Sequence, residues 1–197
     1  MARIGFKKAK YNKIDSGAYA SLTSNTVPVF EKVIDEKFAP EYNTAELYAN
    51  DGIAESDYSF KKGTLSLTVA DDDDRLCAEL LGNTVATSGG EVVSNIEDTA
   101  PEFGYGHIIP KMVGGVRKYK VEFFPRVKFT KITSDNKTRG ESVEFSTTTI
   151  EGTVMPLETA LNGLTIGDWE KHNTFATLAE AETYLDGLLT PVTASEG

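Results

Sequence analysis

Apolar residues recur at every second position through most of this chain. Over residues 64–69 the alternation is strict, with Leu65, Leu67 and Val69 on one face and Thr64, Ser66 and Thr68 on the other. A period of two predicts a strand with one buried face. Residues 117–124 set Tyr119, Val121 and Phe123 against Lys118, Lys120 and Glu122. Residues 141–154 are rich in Thr, Val, Phe and Ile, which suit a pleated, half-buried surface. Weaker strand patterns run over 27–38 and 46–49. Asn50-Asp51-Gly52 and Val113-Gly114-Gly115-Val116 read as turns, because Gly and Asn tolerate positive φ.

Two helices interrupt the strands. The acidic run 71–74 leads into Arg75-Leu-Cys-Ala-Glu-Leu-Leu81 and stops at Gly82. Aspartates there accept orphan N–H groups, and the glycine suits a left-handed cap. Thr177-Leu-Ala-Glu180 is a capping box, predicting a helix to Leu185 or Asp186 that ends before Gly187. Its Leu178, Ala181 and Leu185 share one face. The tail after Pro191 is small and polar and is expected to fray. Segments 35–43 and 84–101 read as long connections. With no repeat and no linker composition, 1–197 reads as one α+β domain, mainly antiparallel sheet, whose C-terminal helix and tail occupy about 174–197.

Thirty acidic against twenty basic residues give a formal net charge of −10. A protein built to grip phosphate backbones is usually basic, so this chain is expected to repel DNA except at local patches. Cys77 is the single cysteine, which excludes an intramolecular disulfide, and His107 and His172 are too few to complete a zinc site with it. The N-terminal stretch lacks the apolar run of a signal peptide, and no window is apolar enough to span a membrane.

Motifs for chemistry are missing as well. There is no G-x-S-x-G elbow, no H-E-x-x-H and no phosphate-binding loop. Gly104-Tyr105-Gly106 reads as a bend at a strand start, and the 71–74 aspartates read as helix capping, since calcium loops space their oxygens apart. His107 and His172 read as surface or packing residues, Cys77 as a buried thiol. Lys128, Lys131, Lys137 and Arg139 form the one local basic excess, around a polar hairpin tip at 133–137. No catalytic, cofactor-binding or metal-binding residue is assigned.

Three stretches carry a resemblance. Ala45-Glu-Leu-Tyr-Ala-Asn-Asp-Gly-Ile-Ala-Glu55 is close to the pattern LYADDG.AE, with Asn50 where aspartate is common. Gly63-Thr-Leu-Ser-Leu-Thr-Val-Ala-Asp71 leads into the helix ending Leu80-Leu81-Gly82. Lys137-Thr-Arg-Gly-Glu-Ser-Val-Glu-Phe145 with Thr149-Ile-Glu-Gly152 is similar to TKGESIEF…TIEG, Arg139 replacing lysine. Together they resemble the major tail protein family of long-tailed bacteriophages of Gram-positive hosts, in order over residues 1–157.

The resemblance implies a β-sandwich or barrel-like tail-tube subunit, not an enzyme, with no cofactor. It implies hexameric rings stacked into a tube in the virion tail, assembled in the bacterial host cytoplasm. Partners would be further copies of the chain and the tape-measure, tail terminator and distal tail proteins. DNA would pass through the lumen without specific binding, and no membrane would be involved. On that expectation, Tyr42, Leu47, Tyr48, Asp51, Gly52 and Ile53 make inter-ring contacts. Ser66, Thr68, Ser142, Glu144 and Ser146, turned away from the core, line the lumen. The competing expectations are a contractile-machine tube protein, a capsid decoration protein, or a β-sandwich module that binds glycans or host surfaces through Tyr42, Tyr48, Tyr58 and Phe60.

Overall fold

The computed structural model describes residues 2–3, 5–22, 26–49, 52–70, 73–86, 90–134 and 147–191, with backbone alone at 2–3, 47–49 and 52–55. In chain order the strands are β1 (Ala2–Arg3), β2 (Lys7–Asp15), β3 (Ala18–Tyr19), β4 (Val29–Phe30), β5 (Val33–Ala49) and β6 (Gly52–Val69). Helix α1 (Asp74–Leu81) follows, then β7 (Thr84–Val85), β8 (Val92–Val93), β9 (Glu102–Val113), β10 (Val116–Ser134), β11 (Thr148–Val154), β12 (Lys171–Phe175) and helix α2 (Leu178–Leu189). Ten strands form one antiparallel sheet in the order β3-β2-β9-β10-β11-β6-β5, with β1 on β9, β12 on β10 and β4 on β2. The fold is mainly β with two helices, a sandwich and not a closed barrel.

Strands β9 and β10 explain the two-layered interior. On one face Phe103, Tyr105, Phe124 and Phe129 pack with Leu65, Leu67 and Ile150 of the curled-over half of the sheet. On the other, Ile108, Val121 and Phe123 pack under α2 through Ala181, Leu185 and Leu189. A strand covered on both sides loses the polar half of its alternation. Glu122, expected on an outward face, is therefore buried, and Gly104-Tyr105-Gly106 lies inside β9, not at a bend. The glycines there make room for close neighbours. A Cβ at Gly104 would sit 2.5–2.7 Å from the Tyr19 ring, and one at Gly106 would sit 2.4 Å from Leu185.

Helix α1 follows its sequence signals. Asp73 accepts from the Arg75 and Leu76 N–H groups, and Gly82 caps the end at φ 76°. Cys77 on this helix is half-buried, more accessible than expected. The Thr177–Glu180 capping box is present, but α2 runs through Gly187 to Leu189 and stops at Thr190. Buried Leu188 and Leu189 continue the apolar face past the glycine, and their packing outweighs the roughly 1 kcal/mol that glycine costs a helix. Lys10 pairs with Asp186, Lys8 with Glu182 at 2.8 Å, and Asn12 donates to the Leu189 carbonyl at 2.8 Å, fixing α2 to β2. The tail 192–197 lies outside the described residues.

The expected connection at 35–43 is a strand. It belongs to β5, at the edge of the sheet, where Pro40 costs no ladder bond to a further strand. Segment 84–101 is a long connection that, among the described residues, carries only the β7–β8 pair.

Candidate functional site

Strands β5 and β6 pair from Val33↔Val69 out to Ala49↔Gly52. Only the Gly63–Val69 part of β6 also pairs with β11. Beyond it, among the described residues, the hairpin continues as two strands, and the described side chains at 39–46, 56–59 and 61–62 are exposed. Isolated two-stranded hairpins are at best marginally stable in water. This arm therefore offers polar and aromatic surface, including Tyr42 at 49% and Tyr58 at 62% exposure, with little of its own to bury.

An aromatic stack anchors the arm's root. Phe38 lies 4.6 Å from Phe124, Trp169 stacks on Phe60 at 4.0 Å and 8°, and Tyr42 meets Phe60 edge-on at 6.1 Å. Gly63 leaves space for the Phe38 ring, which covers it at 2.3 Å from where a Cβ would stand. Trp169 arrives from the segment between β11 and β12. Arg126 pins the start of that segment, donating from Nε and Nη2 to Glu102 at 2.8 and 2.7 Å and from Nη1 to the Pro156 carbonyl, beside Glu158 at 2.7 Å.

Beneath the root lies a buried polar cluster. His107 is 2% exposed, with Nε2 3.3 Å from Glu122 and Nδ1 3.1 Å from Glu36. Tyr105 donates to the same Glu36 oxygen at 2.7 Å, and Lys120 donates to Glu122 at 2.5 Å. Burial pushes the Glu122 carboxyl up, but hydrogen bonds from His107 and Lys120 outweigh it and hold the group at about 2. Burial first, and Glu36 second, push the Tyr105 phenol well above its ordinary range. The cluster bridges the two layers of the sandwich, since Glu36 comes from β5 and the other groups from β9 and β10.

The sequence-predicted residues fall into two groups. All but Asp51 of the six expected contact residues fall on the β5–β6 arm, Tyr42 at its root opposite Phe60 and Leu47, Tyr48, Gly52 and Ile53 toward its far end, where Tyr48↔Ile53 and Ala49↔Gly52 are paired. Asp51 lies outside the described residues. Ser66 and Thr68 are half-buried on the face opposite Leu65 and Leu67, beside Glu151 and Thr149 of β11 and Lys37 and Asp35 of β5. Ser142, Glu144, Ser146, Lys137 and Arg139 lie outside the described residues. The described part of that face mixes charges, with Lys131 3.9 Å from Glu151. His172 is exposed, 3.5 Å from Glu170, whereas His107 is internal, a packing position and not a surface one.

Trp169, Glu36 and the His107–Glu122 pair were not singled out from sequence. Among the described residues no group of three or more His, Cys, Asp or Glu is arranged to hold a metal ion, and no helix is long and apolar enough to cross a membrane. No protein-family model matches the chain, and no curated protein matches it.

Proposed function

We propose that this chain is a tail-tube subunit of a long-tailed bacteriophage, built to join copies of itself into stacked rings. The observation that carries the reading is the arm: an extension of β5 and β6 past the β11 pairing, whose described side chains at 39–46, 56–59 and 61–62 are exposed. Such an element gains its order from a second surface, and the motif-bearing residues Leu47, Tyr48, Gly52 and Ile53 stand at its far end. The sandwich body supports the reading too, because it leaves the β5 edge and a polar face of Ser66, Thr68, Thr149 and Glu151 available to neighbours and lumen. The net charge of −10 suits a wall that DNA must pass without sticking.

Negative-stain microscopy of the purified protein at high concentration tests this. Rings or tubes about ten nanometres wide are expected, from one small domain on each side of a lumen. A chain that stays monomeric at about millimolar concentration with its tail partners supplied would falsify the reading.

A further inference from the structure

A cleft of about 530 Å³ opens between the root of the arm, strands β9 and β10, and the segment carrying Trp169. That volume lies within the usual range for small-molecule sites. Four carboxylates line it, Asp35, Glu36, Glu122 and Glu170, against two basic side chains, Lys120 and His107. Lys120 is committed to Glu122 at 2.5 Å, so the cleft keeps a negative balance. Its remaining wall mixes aromatic rings, Phe38 and Trp169 among them, with aliphatic residues such as Ile34 and Ile109.

A second observation points to a ligand. His107, 2% exposed on the cleft lining, leaves Nδ1 without a hydrogen bond, although Glu36 Oε2 stands 3.1 Å away. A buried polar atom in that condition is destabilising unless something completes it. Carboxylates beside aromatic faces are complementary to an organic cation, and a guanidinium suits both: it donates in a planar fork and stacks on rings. We propose that this cleft binds a guanidinium group, its plane against the Trp169–Phe38 wall and its N–H groups on Glu36 and its acidic neighbours. The inference rests on the cleft alone and does not require tube assembly.

Trp169 is the single tryptophan, so its fluorescence reports occupancy directly. N-acetylarginine amide is titrated into dilute protein, with N-acetylcitrulline amide as the uncharged isostere. Saturation with a Kd of about 1 mM or tighter is expected, and citrulline should bind at least about tenfold more weakly. Glu36→Gln should weaken binding by about tenfold or more. Glu170→Gln, at a half-buried position, should weaken it by a smaller factor and keeps the test decisive if Glu36→Gln fails to fold. No saturation by about 50 mM, or equal binding of citrulline, overturns the proposal.

Repeating the titration where the chain self-associates separates the sources of the cation. Disruption of the assembly by arginine amide identifies an arginine of a second copy; binding that leaves the assembly unchanged identifies a free guanidinium compound. Either result supports the site. A chain that binds arginine amide yet never self-associates sinks the tube reading and leaves this one standing.

Discussion

Replacing Trp169 with alanine probes how the arm is held to the body. The indole ring is half-buried, stacked on Phe60 at 4.0 Å and 8° and lying 6.0 Å from Phe38 at 24°. Truncating a fully buried Trp costs about 3–5 kcal/mol, so a half-buried one puts about 2 kcal/mol at stake. The lost ring contacts add about 0.5–1.5 kcal/mol. The expected loss is therefore about 2–3 kcal/mol, or a fall in Tm of about 5–10 °C for a chain of this size. Urea denaturation followed by far-UV circular dichroism measures it, and Trp169→Phe should restore most of the stability. Hydrogen exchange adds the location: protection should drop at 38–46 and 56–62 while β9 and β10 hold. A change below about 0.5 kcal/mol, or a uniform loss of protection, would mean that the tryptophan does not anchor the arm.

Four further outcomes follow from the same geometry. Gly104→Ala should destabilise the protein by about 1–3 kcal/mol, because the new methyl overlaps a Tyr19 ring held by its hydroxyl on the Pro125 carbonyl; an unchanged denaturation midpoint would contradict the packing. Glu122 has a folded-state pKa of about 2 against an ordinary 4.5, so its contribution is present above about 4.5 and is lost as pH falls toward 2. Glu122→Gln should flatten the acid limb of a stability–pH curve, and an unaltered limb refutes that. Thr177→Ala removes the cap of α2 and should cost about 1 kcal/mol by thermal melt; no loss would mean the capping box is idle. Deleting residues 44–54 should leave a folded subunit that cannot elongate tubes, and long tubes from the deleted protein would count against the arm's role.

Legibility in the sequence followed the number of buried faces. Leu65, Leu67 and Val69 stand on a strand with one buried side, and their alternation predicts the structure directly. Both caps of α1 and the N-cap of α2 were equally readable, because capping depends on a few local hydrogen bonds; the end of α2 was not, because packing of Leu188 and Leu189 carries the helix past Gly187. Strand β5 gave only weak patterns, at 33–38 and 46–49, since its inward positions include Glu36 as well as Phe38, and a charged residue at a core-facing position hides the period. The same tertiary burial hid Glu122 among apparent surface lysines. The His107–Glu122 pair was nevertheless within reach. Taking 114–115 as a two-residue turn pairs Val113 with Val116, and counting back along both strands sets His107 opposite Glu122. What no local count could supply was Glu36, which arrives only when the sheet curls over, or Trp169, which a loop delivers.

Strand β2 pairs with β9, so Lys7 meets Ile108, and its outer side is then fixed by α2 through Lys10 and Asp186, 176 positions later. Contacts so distant in sequence are slow to close, whereas the β5–β6 and β9–β10 hairpins form from neighbouring residues. The first long strand to leave the ribosome can therefore pair early only with the short strands β3 and β4, and waits for β9 for its long partner and for nearly the whole chain before its cover arrives. Until then its apolar Ala9 and Tyr11 have only Phe30 of β4 to pack against. Pulse-labelled hydrogen exchange during refolding should find β9–β10 amides protected before those of β2; simultaneous protection would contradict that order.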